Sequence, residues 1–169
     1  MSSIKIQNIS ITKLTADAVV NAANSALIMG NGVCGYIFRD AGVDKMTAAC
    51  MKIGRCATGS AVITPGFNLP AKHVIHAVGP IWKGGIDGEP QKLYSAYKSS
   101  LELAKENDLH SIGFPLISAG IYGYPLRQAW ERAITACKDF IADNPDYEID
   151  ITFCVLDEHI MEVGEEVLG

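Results

Sequence analysis

Six short apolar runs alternate with segments of helical period along this chain, and that alternation constrains its fold more than any other feature. The runs lie near residues 4–9, 18–22, 60–64, 73–78, 111–117 and 149–156. Each has the length of a strand rather than of a buried helix. Between them, Leu93, Tyr94, Tyr97, Leu101 and Ala104 recur at helical spacing over 92–106. Leu126, Ala129, Trp130, Ala133, Ile134, Cys137 and Ile141 do the same over 126–142, where Pro125 suits the first helical position. A shorter helix is predicted near Val33 and another from about Glu158 onward, while Lys83-Gly84-Gly85-Ile86-Asp87-Gly88-Glu89-Pro90 reads as a surface loop. Strands alternating with helices predict an α/β protein, a three-layer α/β/α sandwich that binds ligands at the carboxyl ends of its strands. No internal linker divides the 169 residues, so 1–169 are expected to form a single domain.

Two glycine-rich loops stand where such a ligand would bind. Met29-Gly30-Asn31-Gly32-Val33-Cys34-Gly35 lies downstream of the run Ala18–Ala22, and Ser118-Ala119-Gly120-Ile121-Tyr122-Gly123-Tyr124 follows Ile112–Ile117. A helix N-terminus offers unpaired N–H groups and a positive dipole end, and glycine lets backbone approach an anion closely. A turn would explain either loop singly; the pair predicts a ligand with two linked phosphates. Gly30 to Gly35 also spells G-x-G-x-x-G. However, Asn24 to Met29 separate the strand from its first glycine, and the region about twenty positions on reads Ile53-Gly54-Arg55-Cys56, with no acidic residue for a ribose. A dinucleotide-binding turn is therefore not expected. Asn21 and Asn24 place two amides before the first loop. A turn or cap would account for one of them, and two point to uncharged hydrogen bonding with sugar hydroxyls.

A net charge of −5 and the lack of any Lys/Arg cluster argue against long nucleic acid as a partner. A small anion held by backbone amides remains compatible with an acidic chain. The five cysteines are scattered, with no C-x-x-C, which fits a reducing compartment; no segment reads as a signal peptide or a membrane span, so a cytoplasmic location is expected. His73 and His76, three apart in a strand, point to opposite faces and read as structural, and His110 and His159 are isolated, so no metal site is expected. Neither a G-x-S-x-G elbow nor a Walker loop is present.

With these residues in place, the chain resembles the macrodomain family, which binds ADP-ribose. The likeness runs through Val20-Asn21-Ala22-Ala23-Asn24-Ser25, the first glycine loop and Ala41-Gly42; through Cys56-Ala57-Thr58-Gly59-Ser60-Ala61 and Asn68 to Pro80; and through Phe114 to Pro125. It implies a central six-stranded mixed sheet, with ADP-ribose or an ADP-ribosylated protein as the partner, no cofactor, and a monomer. Ser10 and Ile11 would lie beside adenine. Asn24 would contact the distal ribose, the one bearing a protein or acyl link. Gly30, Asn31, Gly32, Val33 and Cys34 would hold one side of the diphosphate, and Ser118, Ala119, Gly120, Ile121, Tyr122 and Gly123 the other, with Tyr124 packing beside the distal ribose. Asn24 and Tyr124 are the catalytic candidates.

Departures from the family pattern bear on activity. Ser10 stands where members often carry an aspartate that receives the adenine amino group, and Leu156, before Asp157, stands where many place an aromatic ring against the base. Hydrolases of the MacroD type carry Gly-Val-Asp-Gly; this chain has Gly32-Val33-Cys34-Gly35, with Phe38 at the position of a common histidine. Near a diphosphate the Cys34 thiol reads as a space-filler rather than a nucleophile. Members lacking the aspartate, notably viral ones, use an asparagine and a substrate phosphate to position water. Two functions stay open: a hydrolase of ADP-ribosyl esters, on protein carboxylates or O-acetyl-ADP-ribose, and a non-catalytic ADP-ribose-binding module. An altered ligand is a third, because both adenine-side positions differ.

Overall fold

In β2 (Ala18–Ala23), alternate side chains feed two cores, because neighbours on a strand point to opposite faces of the sheet. The computed structural model describes all residues, 1–169. Ala18 and Val20 join Ile75, Leu93, Tyr97, Phe114, Trp130 and Phe153 in one cluster. Val19 and Ala23 join Ile37, Phe38, Met46, Val74 and Val78 in the other. The remaining strands are β1 (Ser3–Gln7), β3 (Ala61–Pro65), β4 (His73–Val78), β5 (Ser111–Phe114) and β6 (Asp150–Cys154). α3 (Glu89–Glu106), α4 (Leu126–Asp143) and α5 (Glu158–Leu168) cover the first face, and α1 (Gly32–Ala41) and α2 (Val43–Ile53) the second. The result is the expected three-layer α/β/α sandwich.

The sheet is mixed, in the order β1-β6-β5-β2-β4-β3, with only the β3–β4 pair antiparallel. From β2 the chain runs by α1 and α2 toward β3 at one edge; from the adjacent β5 it runs by α4 toward β6 on the other side. The two connections diverge, which opens a crevice at the carboxyl ends of β2 and β5, the switch point at which open α/β sheets bind ligands. No helix is long and apolar enough to cross a membrane.

Local differences from the sequence expectation have physical causes. The run 111–117 is strand only to Phe114, because the loop that follows is braced from α3: the buried Tyr97 hydroxyl accepts the Ile117 N–H at 2.8 Å and donates to the Pro115 carbonyl at 3.2 Å. The helix near Val33 is followed by a second, separated from it by Gly42 at φ +109°, where the chain turns. Pro125 caps α4 from outside, with ψ at 132°, instead of occupying its first turn. Lys83–Pro90 is not all loop. Glu89 and Pro90 begin α3, and Glu89 is buried.

Candidate ligand-binding cleft

Residues after four parallel strands line up along one edge of the sheet. Ser10 and Ile11 follow β1, Leu156 follows β6, the second glycine loop follows β5, and Asn24 with the first glycine loop follows β2. Strand spacing of about 4.8 Å makes this an ordered row rather than a cluster. Ile11 is buried, Ser10 is half-buried with its hydroxyl 3.1 Å from that of Thr12, and Leu156 is exposed. Asp157 caps α5 by accepting the Ile160 N–H at 3.0 Å.

Both glycine loops leave backbone N–H groups free. The N-cap of α1, Asn31, makes no side-chain cap, and the amides of Gly32, Val33 and Cys34 donate to no protein acceptor. The amides of Ala119, Gly120, Ile121 and Tyr122 are equally unpaired, whereas Gly123 and Tyr124 donate to Gly120 and Ser118 and so shape the turn. Gly32 at φ +60° and Gly123 at φ +72° adopt the left-handed region, and a Cβ on either would meet nothing within 4 Å. Gly35 instead permits close packing within the loop, since a Cβ there would stand 2.7 Å from the Gly30 carbonyl. Each loop is entered through a non-glycine residue in the left-handed region, Leu27 at φ 57° and Ser118 at φ 67°. Such strain gathers at functional loops. The buried Ser118 hydroxyl has no hydrogen-bond partner within the protein.

The two asparagines separate. Asn24 folds its amide back on the loop it begins, accepting the Ile28 N–H at 3.1 Å and donating to the Ile28 carbonyl at 2.9 Å. One amide hydrogen and one lone pair remain available. Asn21 is fully buried on the α1–α2 side, so the pair of amides expected before the loop reduces to one. Its Nδ2 donates to His76 Nδ1 at 3.1 Å and to Cys34 Sγ at 3.5 Å. This fixes the neutral tautomer of His76: Nε2–H faces the Thr64 hydroxyl at 3.0 Å, which in turn donates to the Pro65 carbonyl at 3.1 Å. Burial pushes the His76 pKa down to about 4. The Cys34 thiol completes the chain by donating to the Ile28 carbonyl at 3.7 Å, the same oxygen that holds Asn24.

Tyr124 does not line the cleft. It is only 3% exposed and packs on Trp82, with ring centroids 4.7 Å apart. Tyr122, two residues earlier, lines a cleft of about 270 Å³ together with Ser25, Thr58 and the Val78–Ile81 segment that follows β4. The outer rim carries Lys83, Asp87 and Lys92, which sequence reasoning passed over as loop and helix surface. Glu89 organises that rim. Its carboxylate accepts N–H bonds from Lys83, Gly85 and Asp87 at 2.7, 2.9 and 2.7 Å. Burial opposes the charge, but the backbone donors win and hold its pKa down at about 2. An acidic residue directly before a proline, at the start of a helical pattern, is the signal that could have revealed it.

The model of the Macro domain family matches residues 20–133. A macro domain-containing protein of Chlorobaculum tepidum is 48% identical over 94% of this chain and 91% of its own length. A protein of Citrobacter koseri named O-acetyl-ADP-ribose deacetylase is 45% identical, over 99% of this chain and 96% of its own. The ADP-ribose glycohydrolase MACROD2 of Xenopus laevis is 51% identical over 86% of this chain, which spans only 35% of that protein. Among solved structures, the Oceanobacillus iheyensis macrodomain with ADP superposes with a TM-score of 0.91 at 35% identity, over 96% of this chain and 88% of its own. The Trypanosoma brucei macrodomain in complex with ADP-ribose gives 0.89 at 35% identity, over 98% and 69%.

Proposed function

The chain belongs to the Macro domain family, and from that premise we propose that it binds ADP-ribose along the carboxyl edge of its sheet and hydrolyses ADP-ribosyl esters. The observation that carries this reading is the pair of loops at the β2–β5 switch point, with the unpaired amides of Gly32, Val33 and Cys34 on one side and of Ala119, Gly120, Ile121 and Tyr122 on the other. Backbone donors on two sides of a crevice suit a diphosphate, and they explain how an acidic chain holds one without a basic patch. Adenine then lies toward Ser10, Ile11 and Leu156. The distal ribose lies toward Asn24, with Tyr122 as its aromatic neighbour in place of Tyr124.

Ester cleavage in this site rests on positioning. Asn24 is rigidly held and keeps an amide hydrogen for a ribose hydroxyl or a water, and the substrate's own phosphate, fixed by the loops, supplies the remaining orientation. No carboxylate is available from the first loop, and His76 is sealed in the core. That observation favours a second reading, a module that binds ADP-ribose without turnover. Release of ADP-ribose from a glutamate-ADP-ribosylated protein decides between them: turnover well above background makes the chain a hydrolase, and binding without turnover makes it a reader. Calorimetry of Gly32→Glu tests the shared premise. The new carboxylate would stand in phosphate space, so ADP-ribose binding should vanish from a folded variant; retained affinity overturns the phosphate cradle.

A further inference from the structure

The second glycine loop is held by little of its own. Residues 118–124 make two hydrogen bonds among themselves, from the Gly123 and Tyr124 N–H groups to the Gly120 and Ser118 carbonyls. A third comes from outside the loop, where the Trp82 N–H donates to the Tyr122 carbonyl at 2.8 Å. Residues 79–82, which follow β4, back the loop at both ends. At its start, Gly79 lies so close that a Cβ there would stand 2.3 Å from Ser118 Oγ and 2.4 Å from Ile117 Cγ2. At its end, the Trp82 ring packs on Tyr124, with centroids 4.7 Å apart. The free amides of Ala119, Gly120, Ile121 and Tyr122 lie between these two supports.

Glu89 in turn holds the support. Its buried carboxylate accepts the N–H groups of Lys83 and Gly85 on one oxygen and that of Asp87 on the other. These three donors precede α3, so the carboxylate organises the segment before the helix. The segment is thereby folded over Trp82, since a Cβ on Gly85 would come within 3.2 Å of Trp82 Cη2. We propose that Glu89 is a positioning residue for diphosphate binding. By closing residues 83–87 around Trp82, it fixes the second glycine loop with its free amides aimed into the cleft. This rests on the ADP-ribose reading above and adds a residue that acts on that site without touching the phosphates. A charged acceptor makes stronger hydrogen bonds than a neutral one, and donors held ready lose little freedom when the ligand arrives.

The test compares wild type, Glu89→Ala and Glu89→Gln, by calorimetry with ADP-ribose and by amide hydrogen exchange without ligand. Glu89→Ala should bind ADP-ribose about tenfold more weakly, the cost of ordering roughly one backbone residue that the wild type holds ready. Its Gly123 and Tyr124 amides should exchange faster. The Ile28 amide of the first loop, bonded to Asn24, should keep its protection. In Glu89→Gln one amide oxygen can still serve Lys83 and Gly85 but not Asp87, so both effects should fall between the other two proteins. If Glu89→Ala does not fold, Glu89→Gln carries the same two measurements. A merely structural role would lower stability to urea yet leave ADP-ribose affinity and Gly123 and Tyr124 exchange as in wild type. That result, or equal loss of protection at Ile28, overturns the proposal while tight binding by wild type leaves the ADP-ribose reading standing. Wild-type protein that fails to bind ADP-ribose overturns both.

Discussion

At Cys34 the side chain sits in the first turn of α1, donating to the Ile28 carbonyl and accepting from Asn21. It therefore steadies the oxygen that also holds Asn24, and it offers no base. If a missing carboxylate limits catalysis, Cys34→Asp should raise hydrolysis of an ADP-ribosyl ester. General-base help is typically worth about 10²–10⁴-fold, and about 10–100-fold is expected here, because the Ile28 carbonyl repels a carboxylate at this spot and geometry must come first. Affinity for ADP-ribose should change at most about a few-fold. Cys34→Ala should leave turnover almost unaltered; loss of turnover with binding intact would make this a cysteine-dependent enzyme. Single residues are also where the sequence was hardest to read. Asn21 and Asn24, or Tyr122 and Tyr124, are chemically alike in the sequence. Strand parity buries Asn21, and the Ser118–Tyr124 backbone bond turns Tyr124 inward onto Trp82.

Most elements were legible, because period and punctuation are local, but α2 (Val43–Ile53) was not predicted. Apolar alternation marked every strand, and the glycine loops marked the two carboxyl ends that matter. What escaped depends on distant partners. Tyr97 in α3 shortens β5, and Glu89 turns part of an apparent loop into a helix start only because it collects three amides from Lys83, Gly85 and Asp87. The β6–α5 connection sets what lies beside the end of β6. Asp157 is engaged as the cap of α5, which leaves Leu156, 67% exposed, as the apolar surface offered beside β6. Aromatic stacking on a base is worth roughly 1–3 kcal/mol, or on the order of tenfold or more in affinity. Leu156→Phe should thus tighten ADP-ribose binding about tenfold by calorimetry. An unchanged or weaker constant would show that residue 156 does not face the base.

Across the whole molecule, one sheet separates two cores, and the smaller holds the polar chain from Pro65 through Thr64, His76 and Asn21 to Cys34. That chain joins the antiparallel edge of the sheet to the first glycine loop, so the fold and the site share a titratable group. Folding keeps His76 neutral, with burial lowering its pKa from 6.5 to about 4. Between these values the unfolded chain binds a proton that the folded one does not. Stability therefore falls as pH drops from 6.5 to 4, and no further from this source below 4. The full depression corresponds to roughly 3 kcal/mol, of which about 2 kcal/mol is lost between about pH 7 and pH 5. Urea unfolding at pH 7 and pH 5 should show this loss in wild type. In His76→Gln, which is less stable at pH 7 but has no imidazole to charge, the difference between the two pH values should shrink by about that amount. Parallel pH profiles for the two proteins would show that another group governs the acid side of the stability curve.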